Sequence, residues 1–221
     1  MTALLLIHGG LWEDMDAERF WRLPGVTGGL ERRGFTVIAP DRPPRAPSWA
    51  AEAEHLASFL PGTPVTVVAG SNGCSVAVRL ALAHPEAMSG LVLAWPAGQT
   101  APGVRARTRR MLTSAGAPPS TVEVLAGGET LPCATDQELA TLAMPAAVIP
   151  SDPANLYHQR DTVDSLLRLL PSVVELPGCP EPPRPEFPPH LESLLYTISA
   201  FVGLPCQTGL VRSYRLRFDV N

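Results

Sequence analysis

From Val65 to Pro85 the chain reads V-T-V-V-A-G-S-N-G-C-S-V-A-V-R-L-A-L-A-H-P, so a β-branched run passes into an Ala/Leu/Val helix through a few small residues. A strand that reverses into a helix this abruptly forces its turning residue into a strained backbone conformation. The residues two before and two after must then be small, or their side chains would collide. Ala69 and Gly73 meet that need around Ser71 and lift its hydroxyl to the top of a sheet, at a helix N-terminus. In another frame, Gly70-Ser71-Asn72-Gly73-Cys74, the central residue is Asn72 and no nucleophile exists. Small residues can also serve tight packing alone. The Ser71 frame is preferred because the strand and the helix fall correctly on either side of it, and it nominates one serine as a nucleophile.

The rest of the chain repeats this rhythm. Short apolar runs at 3–7, 35–39, 65–69, 91–95, 146–150 and 172–176 are predicted strands. Helix-like stretches fall near 17–33 (interrupted by Pro24-Gly25), 48–60, 73–84, 158–170 and 190–202. Strands apolar throughout and separated by helices predict an α/β fold, a mainly parallel sheet of about six strands with helices on both faces. Two segments depart from the pattern. Residues 97–145, with weak helices near 103–114 and 135–142, are expected to form a short lid. Residues 177–189 hold seven of the 25 prolines, which implies a stiff extended loop. Both leave strands at the end where parallel sheets bind ligands. One domain is expected over 1–203. The tail, 204–221, alternates from Val211 to Val220 as an edge strand, a dimer arm or an extension would, and no function is assigned to it.

Composition narrows the function classes. A chain of 221 residues with 45% hydrophobic content suits one domain with a sizeable core, and a net charge of -4 offers no footprint for nucleic acid or a membrane surface. All 17 basic residues are arginine, which reads as coding bias. Cys74, Cys133, Cys179 and Cys206 have neither metal-ligand spacing nor a compact disulfide pattern, so no metal or organic cofactor is implied. Met1-Thr2 runs into Ala3–Ile7 without a basic region or cleavage site, and the run is too short to span a bilayer. A reduced cytoplasmic setting is expected.

With the turn at Ser71 placed as a nucleophile elbow, Ala69 standing for the first Gly of G-x-S-x-G, residues 3–202 resemble the α/β-hydrolase superfamily. Ile7-His8-Gly9-Gly10 looks like that family's oxyanion loop, and Ala39-Pro40-Asp41-Arg42 like its turn after the next strand. Ala77, Ala81 and Pro85 continue the elbow helix where the family places small residues and a stop. Val148-Ile149-Pro150-Ser151-Asp152-Pro153 resembles the strand and loop that carry the acid, and Val173–Gly178 the strand before the histidine loop. The chain starts at what would be the family's third strand, so it looks like a small, truncated version.

The resemblance implies acyl transfer: hydrolysis of a carboxylic ester or thioester through a Ser71 acyl-enzyme. A serine hydroxyl needs a base to take its proton, and the oxyanion needs preorganised donors. Those donors would be the backbone N–H groups of Gly10 and Asn72, with His8 stabilising the loop. Asp152 is the expected acid, in the family's Ser, Asp, His order. The chain departs from the family at the histidine, because Cys179-Pro180 follows Leu176-Pro177-Gly178 and the next histidine is His190. A ten-residue loop spans about 30 Å, so His190 can reach and is the expected base. His158, six residues after Asp152, is the runner-up. Trp12 and Trp95 are expected to line an apolar acyl pocket, although either could be core. Arg105, Arg107, Arg109 and Arg110 read as a solvated face or as a cationic rim for an anionic substrate group or an acidic acyl-carrier protein. The expected partner is a small-molecule acyl substrate, free or carrier-bound. A lyase or cyclase on the same scaffold, and a catalytically silent binding protein, are the competing classes.

Overall fold

The computed structural model describes residues 2–203, so the alternating tail and Cys206 lie outside the described residues. Six strands form one parallel sheet: β1 (Ala3–Ile7), β2 (Thr36–Ile38), β3 (Val65–Gly70), β4 (Met88–Ala94), β5 (Ala146–Ile149) and β6 (Val173–Glu175). Their order is β2-β1-β3-β4-β5-β6, and every neighbouring pair is parallel. The strand order reverses between β1 and β3, where doubly wound sheets open a crevice at their carboxyl ends. Loops leaving β1, β3 and β5 therefore converge on one edge of the molecule.

Alternation along each strand divides the core in two. Leu5, Ile7, Val67, Ala69, Leu93 and Val148 face one layer. That layer holds α2 (Trp49–Ala57), α3 (Gly73–Ala83), α7 (Arg160–Leu169) and the three helices of residues 97–145, α4 (Val104–Ser114), α5 (Pro119–Leu125) and α6 (Asp136–Leu139). Leu4, Leu6, Val68, Val92 and Ile149 face the other layer, with α1 (Val26–Arg32), α8 (Leu191–Gly203), Phe20 and Trp21. The predicted helix over 17–33 breaks as expected near Pro24-Gly25, into a π-turn at Glu18–Arg22 and then α1. Helix α5 was not foreseen, because its seven residues, P-S-T-V-E-V-L, carry too few apolar positions for a helical period. Among the described residues no helix is long and apolar enough to cross a membrane.

The β3-to-α3 reversal is as tight as its sequence requires. Ser71 lies at φ +53°, in the left-handed region that a residue with a side chain rarely adopts. A methyl group at Gly73 would lie 2.6 Å from the His8 carbonyl oxygen and 2.8 Å from that of Ile7. Neither obstacle is a flexible side chain; both belong to the backbone leaving β1. Small residues here thus set how closely α3 can approach the β1 loop.

Beneath that loop lies a buried polar cluster. Arg42 and Glu52 are 9% and 3% exposed and are joined by an Nε–H···Oε2 hydrogen bond of 2.6 Å. The buried His8 ring accepts the Arg42 backbone N–H at Nε2 (2.9 Å) and faces the Gly9 carbonyl oxygen with Nδ1 at 2.8 Å. One neutral tautomer, protonated at Nδ1, satisfies both bonds. Burial, reinforced by the Arg42 charge, lowers the His8 pKa from 6.5 to about 4.

Two outcomes are expected. Gly73→Ala should lower the unfolding free energy by about 2 kcal/mol, the usual cost of overpacking against unyielding neighbours. Gly62→Ala, where nothing lies within 4 Å, should be nearly silent in the same urea titration. For His8, the unfolded chain takes up a proton near pH 6.5 and the folded chain only near 4. Its contribution is thus complete above pH 6.5 and lost as pH falls toward 4, by up to about 3 kcal/mol. The His8 ring resonance in NMR should titrate near pH 4; a midpoint near 6.5 contradicts this.

Candidate active site

The Ser71 hydroxyl has an imidazole partner, and it is His158: Ser71 Oγ and His158 Nε2 are 2.9 Å apart. Ser71 is held by its own backbone, its N–H donating to Ala94 O (2.9 Å) and its carbonyl accepting from Cys74 N–H (3.1 Å). It is 7% exposed, near the surface and not lost in packing. His158 comes from the loop between β5 and α7. Asn155 shapes that loop, its Oδ1 accepting the backbone N–H groups of Tyr157 (3.0 Å) and His158 (3.2 Å).

On the far side of the imidazole, Nδ1 lies 2.9 Å from Glu181 Oε1. Glu181 is in the proline-rich loop after β6. Burial raises its carboxyl pKa, but hydrogen bonds and charge from His158 and Arg184 outweigh that and hold the pKa below the ordinary value. Arg184 Nε donates to the same Oε1 at 3.1 Å. The Asn155 amide nitrogen also lies 2.9 Å from His158 Nδ1. One ring nitrogen cannot donate to the carboxylate and accept from the amide together. The carboxylate prevails, because a charge-assisted hydrogen bond is roughly twice as strong as a neutral one. Nδ1 then carries the proton, and the Nε2 lone pair faces the serine hydroxyl.

His190 and Asp152 do not take the places expected of them. His190 ends a short 3-10 turn, Pro188–His190, with its N–H on Phe187 O (2.7 Å). The reason is Phe187, which is wholly buried in the α1/α8 layer and draws the end of the loop toward that face of the sheet. The beginning of the loop stays beside β5, with Ser151 paired to Cys179 and Cys179 N–H on Pro150 O (3.3 Å). That tether presents Glu181, two residues on. Asp152 is exposed on the β5 loop and lines a cavity of about 330 Å³ with His158, Arg160 and Glu175, while Glu181 holds the position on Nδ1. The histidine and the carboxylate have exchanged loops relative to the expected order. His158 was legible as the runner-up. Glu181 was missed, and its signal was an acidic residue directly after Cys179-Pro180, where a histidine was sought.

Asn72 follows Ser71 at the start of α3, and Gly10 lies on the loop leaving β1. Gly9 presses against Ser71, since a methyl at Gly9 would fall 2.9 Å from Ser71 Cβ. Gly10 has φ +90°. Among the described residues neither the Gly10 nor the Asn72 N–H donates to a protein acceptor. Trp12 lines a cavity of about 270 Å³ with His8, Gly10, Arg42 and Arg45, its indole N–H on Ala46 O at 3.1 Å. Trp95 is wholly buried, packed on Phe20 and Trp21 with its N–H on Cys179 O (2.7 Å), so it is core and presents no surface to a ligand. Of the α4 arginines, Arg109 pairs with Glu123. Arg105 bonds the neutral acceptors Gln99 and Gly128 O. Arg107 donates to the Tyr157 hydroxyl at 2.9 Å, one residue from His158.

No protein-family model and no curated protein matches the sequence. Solved structures match the fold. An α/β-hydrolase enzyme, MGS-MChE2, from the metagenome of sediments of the Mar Chica lagoon, Morocco, superposes with a TM-score of 0.65 at 16% identity, covering 90% of each chain. A serine hydrolase involved in carbazole degradation, CarC, gives 0.65 at 15% identity over 91% of each chain. A thioesterase domain from the curacin biosynthetic pathway gives 0.60 at 13% identity, over 91% of this chain and 90% of that one. With the parallel six-stranded sheet and the sharp turn after β3, these likenesses show that the chain has the α/β-hydrolase fold.

Proposed function

We propose that the protein is a serine hydrolase that cleaves a carboxylic ester or thioester through a Ser71 acyl-enzyme. The observation that carries this reading is the chain of contacts Ser71–His158–Glu181, each link 2.9 Å long. His158 Nε2 takes the hydroxyl proton as Ser71 Oγ attacks the acyl carbon, and later returns it to the leaving group. Glu181 fixes the ring and stabilises the imidazolium that forms. The Gly10 and Asn72 amides receive the oxyanion. Water, activated by the same imidazole, then releases the acid. Triads are recognised by geometry and not by order in the chain, so Ser, His, Glu performs the same chemistry as Ser, Asp, His.

The substrate is read as a small acyl compound, free or bound to a carrier. The thioesterase domain among the structural neighbours supports the thioester option. Arg105 and Arg110, exposed on α4 of the lid, suit an anionic leaving group or an acidic carrier. If so, Arg105→Glu with Arg110→Glu should weaken binding of an acidic acyl-carrier protein at low salt, with the difference fading as salt screens it. Equal binding at low salt removes the carrier from the proposal.

A second reading has one observation behind it, the Asn155 amide beside His158 Nδ1. In the opposite tautomer Nε2 would donate to Ser71, and the site would be a silent binding pocket. Labelling with a fluorophosphonate probe decides between the two. The wild type should label at a single residue, and Ser71→Ala should not. His158→Gln should slow labelling by about 10⁴-fold or more, and Glu181→Gln by about 10²–10⁴-fold. His190→Gln and Asp152→Asn should stay within about threefold of wild type. A folded wild type that takes no label supports the silent protein.

A further inference from the structure

We infer that Arg42, braced by Glu52, is the positioning residue that aims the oxyanion-loop amides at Ser71; this inference rests on the acyl-transfer reading above. Arg42 Nη1 shares its two N–H groups among three successive carbonyl oxygens, those of His8 (3.0 Å), Gly9 (2.9 Å) and Gly10 (2.8 Å). In a trans peptide the C=O and the following N–H point in opposite directions. Holding the His8, Gly9 and Gly10 carbonyls on one guanidinium nitrogen therefore turns the N–H groups of Gly9, Gly10 and Leu11 away from it. Gly9 separates the two sides, with Arg42 on its carbonyl and Ser71 Cβ against its Cα. The N–H that the pinned Gly9 carbonyl orients is that of Gly10, which sits at φ +90°.

The rest of the cluster serves the same end. Arg42 Nε is committed to Glu52 at 2.6 Å, which fixes the plane of the guanidinium and balances its charge. The Arg42 backbone N–H is committed to His8 Nε2, so side chain and main chain of one residue grip the loop from below. A buried ion pair adds little net stability compared with an apolar pair of the same volume. Stability alone is thus a poor account of Arg42 and Glu52. Their geometry is accounted for by the three carbonyls that Arg42 holds, and Arg42 need not touch substrate to act.

Kinetics of fluorophosphonate inactivation test this, because a probe's affinity and its rate of bond formation separate. Arg42→Gln with Glu52→Gln removes both charges and leaves neither orphaned. This variant should lose about 10- to 100-fold in the maximal inactivation rate, while the probe's half-saturating concentration moves by less than about twofold. Arg42→Lys, which keeps a charge beside Glu52, should recover part of that rate, and it carries the test if the double variant fails to fold. A folded variant that inactivates within about twofold of wild type overturns the inference. The ¹⁵N resonance of Gly10 gives a readout independent of chemistry, being single and sharp in the wild type and broadened or split in the variants. An unchanged Gly10 resonance overturns the positioning role. A wild type that takes no label, with a Gly10 resonance that still depends on Arg42, counts against the nucleophile and leaves the positioning role supported.

Discussion

The β1 backbone and the start of α3 cannot both occupy the space beside Gly73, and the site is organised around that collision. The carbonyls of Ile7 and His8 come so close that only a hydrogen fits between them and the helix. The chain meets this by turning through Ser71 in the left-handed region, with Ser71 N–H tied to Ala94 O. Strain of this kind costs on the order of 1–3 kcal/mol and persists only where surrounding structure over-determines it. Here β3 is buried along its whole length and α3 along most of it, so the packing on both sides supplies the constraint. The same contact that forces the turn brings the β1 loop against the serine. Ser71 and the backbone of the β1 loop are therefore placed by one packing event.

Electrostatics completes what packing begins. Two carboxylates are buried near the site, each matched to a different partner. Glu52 neutralises Arg42 below the β1 loop. Glu181 faces His158 above it, with Arg184 at the rim. His8 is kept neutral by burial and by the Arg42 charge, so it serves as a hydrogen-bonding spacer. Of the two buried imidazoles, one is thereby removed from acid–base chemistry at neutral pH, and the other is given a carboxylate and a hydroxyl. The division of labour follows from surroundings, because the residue type is the same.

Much of this was legible in the sequence. Strand runs, the elbow and the β1 loop each depend on local composition: apolar stretches for buried parallel strands, and small residues where backbones approach. The placing of His158 and Glu181 was less legible, because it depends on which of two adjacent loops bends over the serine. β5 and β6 are neighbours, so a base from one loop and an acid from the other reach the same place in either order. Nothing in the spacing of Asp152, His158, Glu181 and His190 encodes that choice. The deciding contacts are the Ser151–Cys179 pairing and the burial of Phe187, both long-range. Trp95 was ambiguous for a similar reason, since a tryptophan at a strand end suits a pocket or a core equally well. The aromatic cluster with Phe20 and Trp21 decides for the core.

The central claim is that the His158 proton sits on the nitrogen facing Glu181, leaving the other nitrogen free to accept from Ser71. Imidazole ¹⁵N chemical shifts report that tautomer directly. The neutral His158 ring should carry its proton on Nδ1 and leave Nε2 bare, with the Nδ1 proton far downfield and displaced by Glu181→Gln. A His158 protonated at Nε2, with Nδ1 accepting from Asn155, would contradict it.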